Sequence, residues 1–224
     1  MSNSIIVAID EFENVRFDEI LSQLNPKKCM IKIGSVTFNA IGRDSVMKAA
    51  ELGFDIFLDL KLHDIPNTVK KSIEGLISLP IKMMTVHISG GKKMLEQSIS
   101  ISNKTDIKIF GVTVLTSLTN SDTELIYKSS IEDQVIEMIK LAEESKIDGI
   151  VCSPHELSLV KAHSSLLTIT PGIRLPESKI DDQARAMSPK QAIKNGSDYI
   201  VIGRPITASK NISKSLDEIY DSIK

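Results

Sequence analysis

Short apolar runs recur along the chain, and most are followed by a stretch whose apolar residues fall three and four positions apart. The first pattern reads as a buried strand and the second as a helix packed on one face. Ile5-Ile6-Val7-Ala8 leads, ending at Asp10, and Val15 to Leu24 reads as a helix. Met30-Ile31-Lys32-Ile33 is the second strand, with Lys32 inside it and Gly34 after it. Phe38 to Leu52 reads as one helix, closed by Gly53. The third strand opens with Asp55-Ile56-Phe57-Leu58, and Val69, Ile73, Leu76 and Ile77 give its helix, ending before Pro80. Met83 to Ile88 is the fourth strand, Gly90 to Ile101 its helix, and Ile107 to Val114 the fifth strand.

The second half keeps the rhythm. Ser121-Asp122-Thr123-Glu124 is a capping-box pattern, and Val135, Met138, Ile139 and Ala142 mark a longer amphipathic helix. Gly149 to Cys152 is a sixth strand. Ser153-Pro154-His155-Glu156 then combines a capping box with proline at the first helical position. Leu166 to Thr170 is the seventh strand, Ser188-Pro189 starts a further helix, Tyr199 to Ile202 is the eighth strand, and Ile206 to Ile223 closes the chain. Eight strands, each followed by helix, predict an α/β fold of the (β/α)8 TIM-barrel type, with residues 1–224 as one catalytic domain. A doubly wound open sheet is the alternative; eight regular units favour closure.

One stretch breaks the pattern. After Phe57-Leu58, charge appears where burial should still be deep: Asp59 and Lys61, then Asp64. On a regular strand, residues two apart share a face. Charges at the inner end of a buried strand are costly unless they pair or do chemistry. The plain reading is a structural Asp59–Lys61 pair with Asp64 as a helix cap before Pro66. The other is a catalytic set. A barrel places function at the C-terminal strand ends. Polar residues collect there: Asp10, Lys32, Asp59, Lys61, Thr113, Thr116, Ser117, Thr170, Gly203 and Arg204. The long polar loop from Pro171 to Met187 carries Arg174, Gln183 and Arg185. Gly203-Arg204 ends the eighth strand, where this fold usually seats phosphate, although a tight turn with a surface arginine is the plainer alternative. Ser89-Gly90-Gly91-Lys92 reads mainly as a helix start, since it lacks the rest of a Walker pattern.

Composition narrows the function classes. At 42% hydrophobic and 25% charged, the chain suits a folded soluble domain. A net charge of -2 suggests no polyanion partner, and 4% aromatics without tryptophan leave little for stacking bases. No signal peptide or membrane span is expected, which points to the cytoplasm. Cys29 and Cys152, without a CxxC spacing, read as buried free thiols, Cys152 as a small core residue. The four histidines show no metal-ligand spacing. His63 reads as structural, because a lone histidine has many packing uses.

Taken together, the motifs resemble the orotidine 5′-phosphate decarboxylase family, in its bacterial form. They are Val7-Ala8-Ile9-Asp10, Lys32-Ile33-Gly34, Asp59-x-Lys61-x-x-Asp64-Ile65-Pro66-Asn67-Thr68, Val86-His87-Ile88-Ser89-Gly90-Gly91, Val112 to Ser117, Thr170 to Arg174, Asp182-Gln183, and Val201 to Pro205. They cover essentially the whole chain in the family's order. A bare D-x-K-x-x-D is shared with related sugar-phosphate enzymes, such as 3-keto-gulonate-6-phosphate decarboxylase and hexulose-phosphate synthase. The Ile65 to Thr68 continuation and the Thr116-Ser117 pair favour a pyrimidine nucleotide.

The resemblance implies loss of carbon dioxide from orotidine 5′-phosphate, giving uridine 5′-phosphate, without metal or organic cofactor. Lys32, Asp59, Lys61 and Asp64 would form an alternating charge array. Lys61 would protonate C6, and Asp59 would sit beside the substrate carboxylate. Asp10 and Lys32 would hold ribose hydroxyls; Thr116 and Ser117 would face the pyrimidine. Arg174, Gln183, Gly203 and Arg204 would hold the phosphate, with Pro171 also at the site and Gln183 on a closing lid. Asp64 and Thr68 would enter the neighbouring site of a homodimer. No nucleic acid or membrane partner is implied.

Overall fold

The computed structural model describes residues 4–174 and 187–224. Its eight strands are β1 (Ile5–Ile9), β2 (Met30–Gly34), β3 (Ile56–Leu62), β4 (Met83–His87), β5 (Lys108–Val112), β6 (Gly149–Val151), β7 (Leu167–Thr170) and β8 (Tyr199–Ile202). They pair in sequence order, all parallel, and β8 pairs back to β1, so the barrel is closed. The expected (β/α)8 architecture is the one found, and the open-sheet alternative falls.

Closure explains why the strands read as apolar runs rather than as alternating ones. Every residue of β1 is buried, yet period two persists in where each goes. Ile5, Val7 and Ile9 pack outward against the helices, while Ile6 and Ala8 point into the barrel. The inner layer joins Ile6 and Ala8 to Met30, Phe57, Met83, Phe110, Ile169 and Val201. Phe110 meets Phe57 edge-on at 6.4 Å and Tyr199 edge-on at 6.3 Å between ring centroids. The barrel is therefore plugged, and a ligand can enter only from an end.

Four local details differ from expectation. The span 38–52 is two helices, Ser35–Ile41 and Arg43–Glu51, because Gly42 between them adopts φ 77°, which no helix interior tolerates. The closing helix is likewise split, into Arg204–Thr207 and Ile212–Ser222; the Asn211 side chain accepts from the Lys214 N–H at 2.9 Å and starts the second piece. The capping box near 121 is formed by Thr119 and Asp122, two residues earlier than the Ser121/Glu124 spacing suggests. The helix at Ser89-Gly90-Gly91-Lys92 starts at Lys92, after a 3-10 turn over Ile88–Gly90. The caps at Ser153 and Ser188 form where the sequence places them, Ser153 opening a 3-10 turn ahead of the helix Leu157–His163.

Candidate active site

β3 is where the regular ladder fails. Leu58 pairs with Met84, and the next pairing is Leu62 with Val86. Three residues of β3, Asp59, Leu60 and Lys61, thus lie opposite one residue of β4, Thr85. Lys61 absorbs the excess by taking φ 50°, in the left-handed region. Lysine carries a Cβ and does not favour that conformation, so the surroundings must hold it there.

The bulge aims charge into the barrel mouth. Lys61 Nζ lies 2.7 Å from Asp59 Oδ2, and Lys32 Nζ lies 3.5 Å from the same oxygen and 3.2 Å from Asp10 Oδ1. Signs alternate along the row Asp10, Lys32, Asp59, Lys61. Asp59 is buried, at 7% exposure. Burial by itself would raise its carboxyl; the charges of Lys32 and Lys61 and the hydrogen bonds from Lys61 and Thr85 outweigh it and hold Asp59 below the ordinary carboxylate range. The carboxylate is therefore ionised at neutral pH. Gly34, at the end of β2, keeps the row open: a Cβ there would stand 2.9 Å from Lys32 Nζ and 3.1 Å from Asp10 Oδ1.

These groups border a cavity of about 220 Å³ lined by the polar residues Lys32, Asp59, Lys61 and Thr116, and by Phe57, Val112, Val151, Ile169, Pro171 and Val201 among others. That is smaller than the usual small-molecule pocket of about 300–1,000 Å³. The charged lining residues come from β2 and β3, and β5 to β8 contribute Val112, Val151, Ile169 and Val201, so a flat, polar-edged ring suits it.

Other sequence-predicted residues stand elsewhere. Asp64 and Thr68 are exposed, and Asp64 Oδ1 accepts the N–H of its neighbour Ile65 at 2.6 Å. Within one chain Asp64 does not complete the row. Ser117 is exposed and outside the cavity wall. Among the described residues Arg174 bonds to backbone, its Nη1 donating to Ile173 O at 3.3 Å and its N–H to Met187 O at 3.0 Å. Arg204 is exposed at the start of its short helix, beyond Gly203. Gln183, Asp182 and Arg185 lie outside the described residues. His63 is exposed and stacks obliquely on His87, ring centroids 5.2 Å apart. Cys152 is buried as expected but forms cavity wall, not only core. Its thiol is pushed up chiefly by burial, then by Glu156, and stays protonated.

Sequence reasoning passed over Thr85. It is fully buried, donates its hydroxyl proton to Asp59 Oδ1 at 2.9 Å and accepts the Lys61 N–H at 2.9 Å. The available signal was a polar side chain amid the apolar run Met83-Met84-Thr85-Val86, which burial requires to be partnered.

Comparison with known proteins identifies the family. Residues 3–219 match the family model described as orotidine 5′-phosphate decarboxylase / HUMPS family. The chain belongs to that family. An orotidine 5′-phosphate decarboxylase of Actinobacillus pleuropneumoniae serotype 5b is 40% identical over 233 residues, covering 100% of both chains. One from the Wolbachia of Culex pipiens is 43% identical over 224 residues and 99% of both. A crystal structure of the Lactobacillus acidophilus orotidine 5′-phosphate decarboxylase superposes with a TM-score of 0.86 at 32% identity, covering 100% of each chain. The family resemblance seen in the motifs is thereby established over nearly the full length.

Proposed function

We propose that this chain decarboxylates orotidine 5′-phosphate to uridine 5′-phosphate, the last step of de novo pyrimidine nucleotide synthesis, with Lys61 as proton donor to C6. Family membership and full-length relatives named for this reaction support the substrate. The observation that carries the mechanism is the shared oxygen: two ammonium groups converge on Asp59 Oδ2 beside an apolar-walled cavity. When the C6–carboxylate bond breaks, its electron pair stays on C6, with no adjacent carbonyl to accept it. A fixed ammonium stabilises charge as it localises there, and an N–H of Lys61 then passes to C6 while carbon dioxide leaves. Asp59 pairs with the Lys61 ammonium and stands against the departing carboxylate. The cavity takes the pyrimidine ring, with Thr116 on its rim and Ser117 brought closer when the mouth closes. Ribose hydroxyls meet Asp10 and Lys32. The phosphate lies over Gly203 and Arg204, with Arg174 and Pro171 beside it. Binding energy from that remote group supports the transition state. Cytoplasmic placement suits such a reaction, and no helix among the described residues is long and apolar enough to cross a membrane.

The site is completed by a second copy of the chain. Asp64 is solvent-facing at the mouth, and the large apolar residues Phe12, Val36 and Ile65, which follow β1, β2 and β3, are exposed around it. A homodimer packed mouth to mouth covers them and lets Asp64 and Thr68 enter the partner's site. Lys61→Ala and Asp64→Ala are each expected to be nearly inactive. Unfolded and refolded together in equal amounts, they should regain about a quarter of wild-type activity, because half the dimers are mixed and half of their sites intact. Mixed dimers present by native mass spectrometry yet without recovery would show that Asp64 serves its own chain.

The deciding experiment for the function is turnover of orotidine 5′-phosphate by protein dialysed against EDTA. Full activity is expected. The family description also names a HUMPS branch, and activity that vanishes with EDTA and returns with Mg2+ would favour a sugar-phosphate substrate handled through a metal.

A further inference from the structure

We infer that Thr85 is the positioning residue of this site: its single hydroxyl sets both the Asp59 carboxylate and the backbone of Lys61. The inference rests on the decarboxylase reading and deepens it. Thr85 is the one β4 residue facing the three-residue bulge of β3. A bulge leaves extra residues without ladder partners, and the Lys61 N–H is such a donor. It finds the Thr85 oxygen at 2.9 Å in place of a β4 carbonyl. The same hydroxyl then donates to Asp59 Oδ1 at 2.9 Å. The other oxygen of that carboxylate receives Lys61 Nζ at 2.7 Å. A closed ring results: Thr85 hydroxyl, Asp59 carboxylate, Lys61 ammonium, Lys61 backbone and back to Thr85.

This ring answers two questions that the charges alone leave open. The first is what keeps a lysine at φ 50°. The bond from its own N–H into a fully buried oxygen pins that peptide, so the side chain departs toward the cavity. The second is why Asp59 presents Oδ2, and not Oδ1, to both lysines. With Oδ1 tied to Thr85, the carboxylate cannot rotate about its Cβ–Cγ bond without breaking a buried hydrogen bond, which is costly where water cannot replace it. The ammonium groups of Lys32 and Lys61 are thereby held on one edge of one carboxylate. Valine has the shape of threonine without the hydroxyl. Placed here, it would leave both the Lys61 N–H and Asp59 Oδ1 unpartnered, freeing the peptide and the carboxylate together.

The test compares Thr85→Val with Thr85→Ser, reading kcat and KM for orotidine 5′-phosphate, and the Asp59 titration by carboxyl carbon NMR without substrate. Thr85→Val should lower kcat about a hundredfold, the scale of a misplacement near 1 Å, while KM moves less than about threefold. Its Asp59 should titrate at higher pH, having lost a hydrogen bond to its charged form. Thr85→Ser keeps the hydroxyl and should bring kcat and the titration back to within about threefold of wild type. A packing role for the threonine methyl would instead leave valine, which keeps that methyl, near wild type and make serine the poorer enzyme, and that result overturns the inference. So does a folded Thr85→Val enzyme with wild-type kcat. If Thr85→Val does not fold, Thr85→Ala, which sets no methyl against the carboxylate, is judged by the same criteria. A wild-type chain that cannot turn over orotidine 5′-phosphate overturns the functional reading itself; the substrate-free Asp59 titration then decides whether the hydroxyl holds the carboxylate.

Discussion

The two ends of the barrel are built around the same three ingredients, an aspartate, a lysine and a threonine hydroxyl. At the N-terminal floor, Asp198 Oδ2 accepts Lys161 Nζ at 2.9 Å, the Thr168 N–H at 2.8 Å and the Thr168 hydroxyl at 2.9 Å. Burial opposes the charge of Asp198, but these bonds prevail and its carboxyl is held below the usual range, as at Asp59. Yet the floor cluster only ties the start of β8 to β7. All three donors converge on one oxygen, the strands there are regular, and neither Asp198 nor Lys161 borders the cavity beneath the mouth. At the mouth, two ammonium groups share one oxygen, the backbone is bulged at Lys61, and an apolar-walled cavity lies alongside. A depressed carboxylate therefore does not mark a catalytic site. What marks it is a row of alternating charges, two ammonium groups on one carboxylate oxygen, held on strained backbone and facing space that a substrate can fill.

The largest test of that contrast exchanges the lysines. Lys61→Ala should cut kcat at least about a thousandfold, since it removes both the electrostatic stabiliser and the proton source, while the product nucleotide still binds. Lys161→Ala should leave kcat within about twofold, and a comparable loss there would break the comparison. Next in size is Gly34→Ala. The added Cβ would displace Lys32 Nζ from its place between Asp10 and Asp59. About a tenfold loss of kcat/KM is expected with the melting temperature unchanged; a melting temperature that falls with intact kinetics would show that the glycine serves packing alone.

Smaller effects lie in stability. Asp198→Asn should cost about 1–2 kcal/mol, because the carboxylate is only half-buried and water replaces part of what is lost. For a chain of this size that lowers the melting temperature by about 2–8 °C, and turnover should not change. The smallest effect concerns the His63–His87 contact. Burial, then electrostatic repulsion from the neighbouring His63 and Lys61, lowers the His87 pKa, with Asp59 opposing. The unfolded chain then takes up the proton first as pH falls. Stability from His87 is complete above about pH 6.5, the unfolded value, and is lost as pH drops through the lower folded value. Melting curves between pH 8 and pH 5 should show a decline that His87→Gln flattens; an unchanged slope would remove His87 from the cause.

The barrel was legible because its units are local. A buried strand needs four or five consecutive apolar residues, a helix needs apolar residues three and four apart, and both signatures are complete within one segment. Ser153 and Ser188 cap where they should because a cap bonds its own next residues. Breaks were harder to see. Gly42 can sit within a helix or end one, and packing on both sides chooses. Asp10, Lys32, Asp59 and Lys61 were likewise visible one by one, since charge on an apolar strand is conspicuous. Their order in space was not: it depends on β1, β2 and β3 lying side by side, a consequence of closure. Thr85 illustrates the limit. Nothing in Met83-Met84-Thr85-Val86 says that the hydroxyl will meet a carboxylate 26 residues earlier. That meeting follows from a slip of β3 against β4, and a slip belongs to a pair of strands rather than to either one. The residue types able to do the chemistry were thus set along the chain, whereas which oxygen faces which ammonium was decided by how neighbouring strands register.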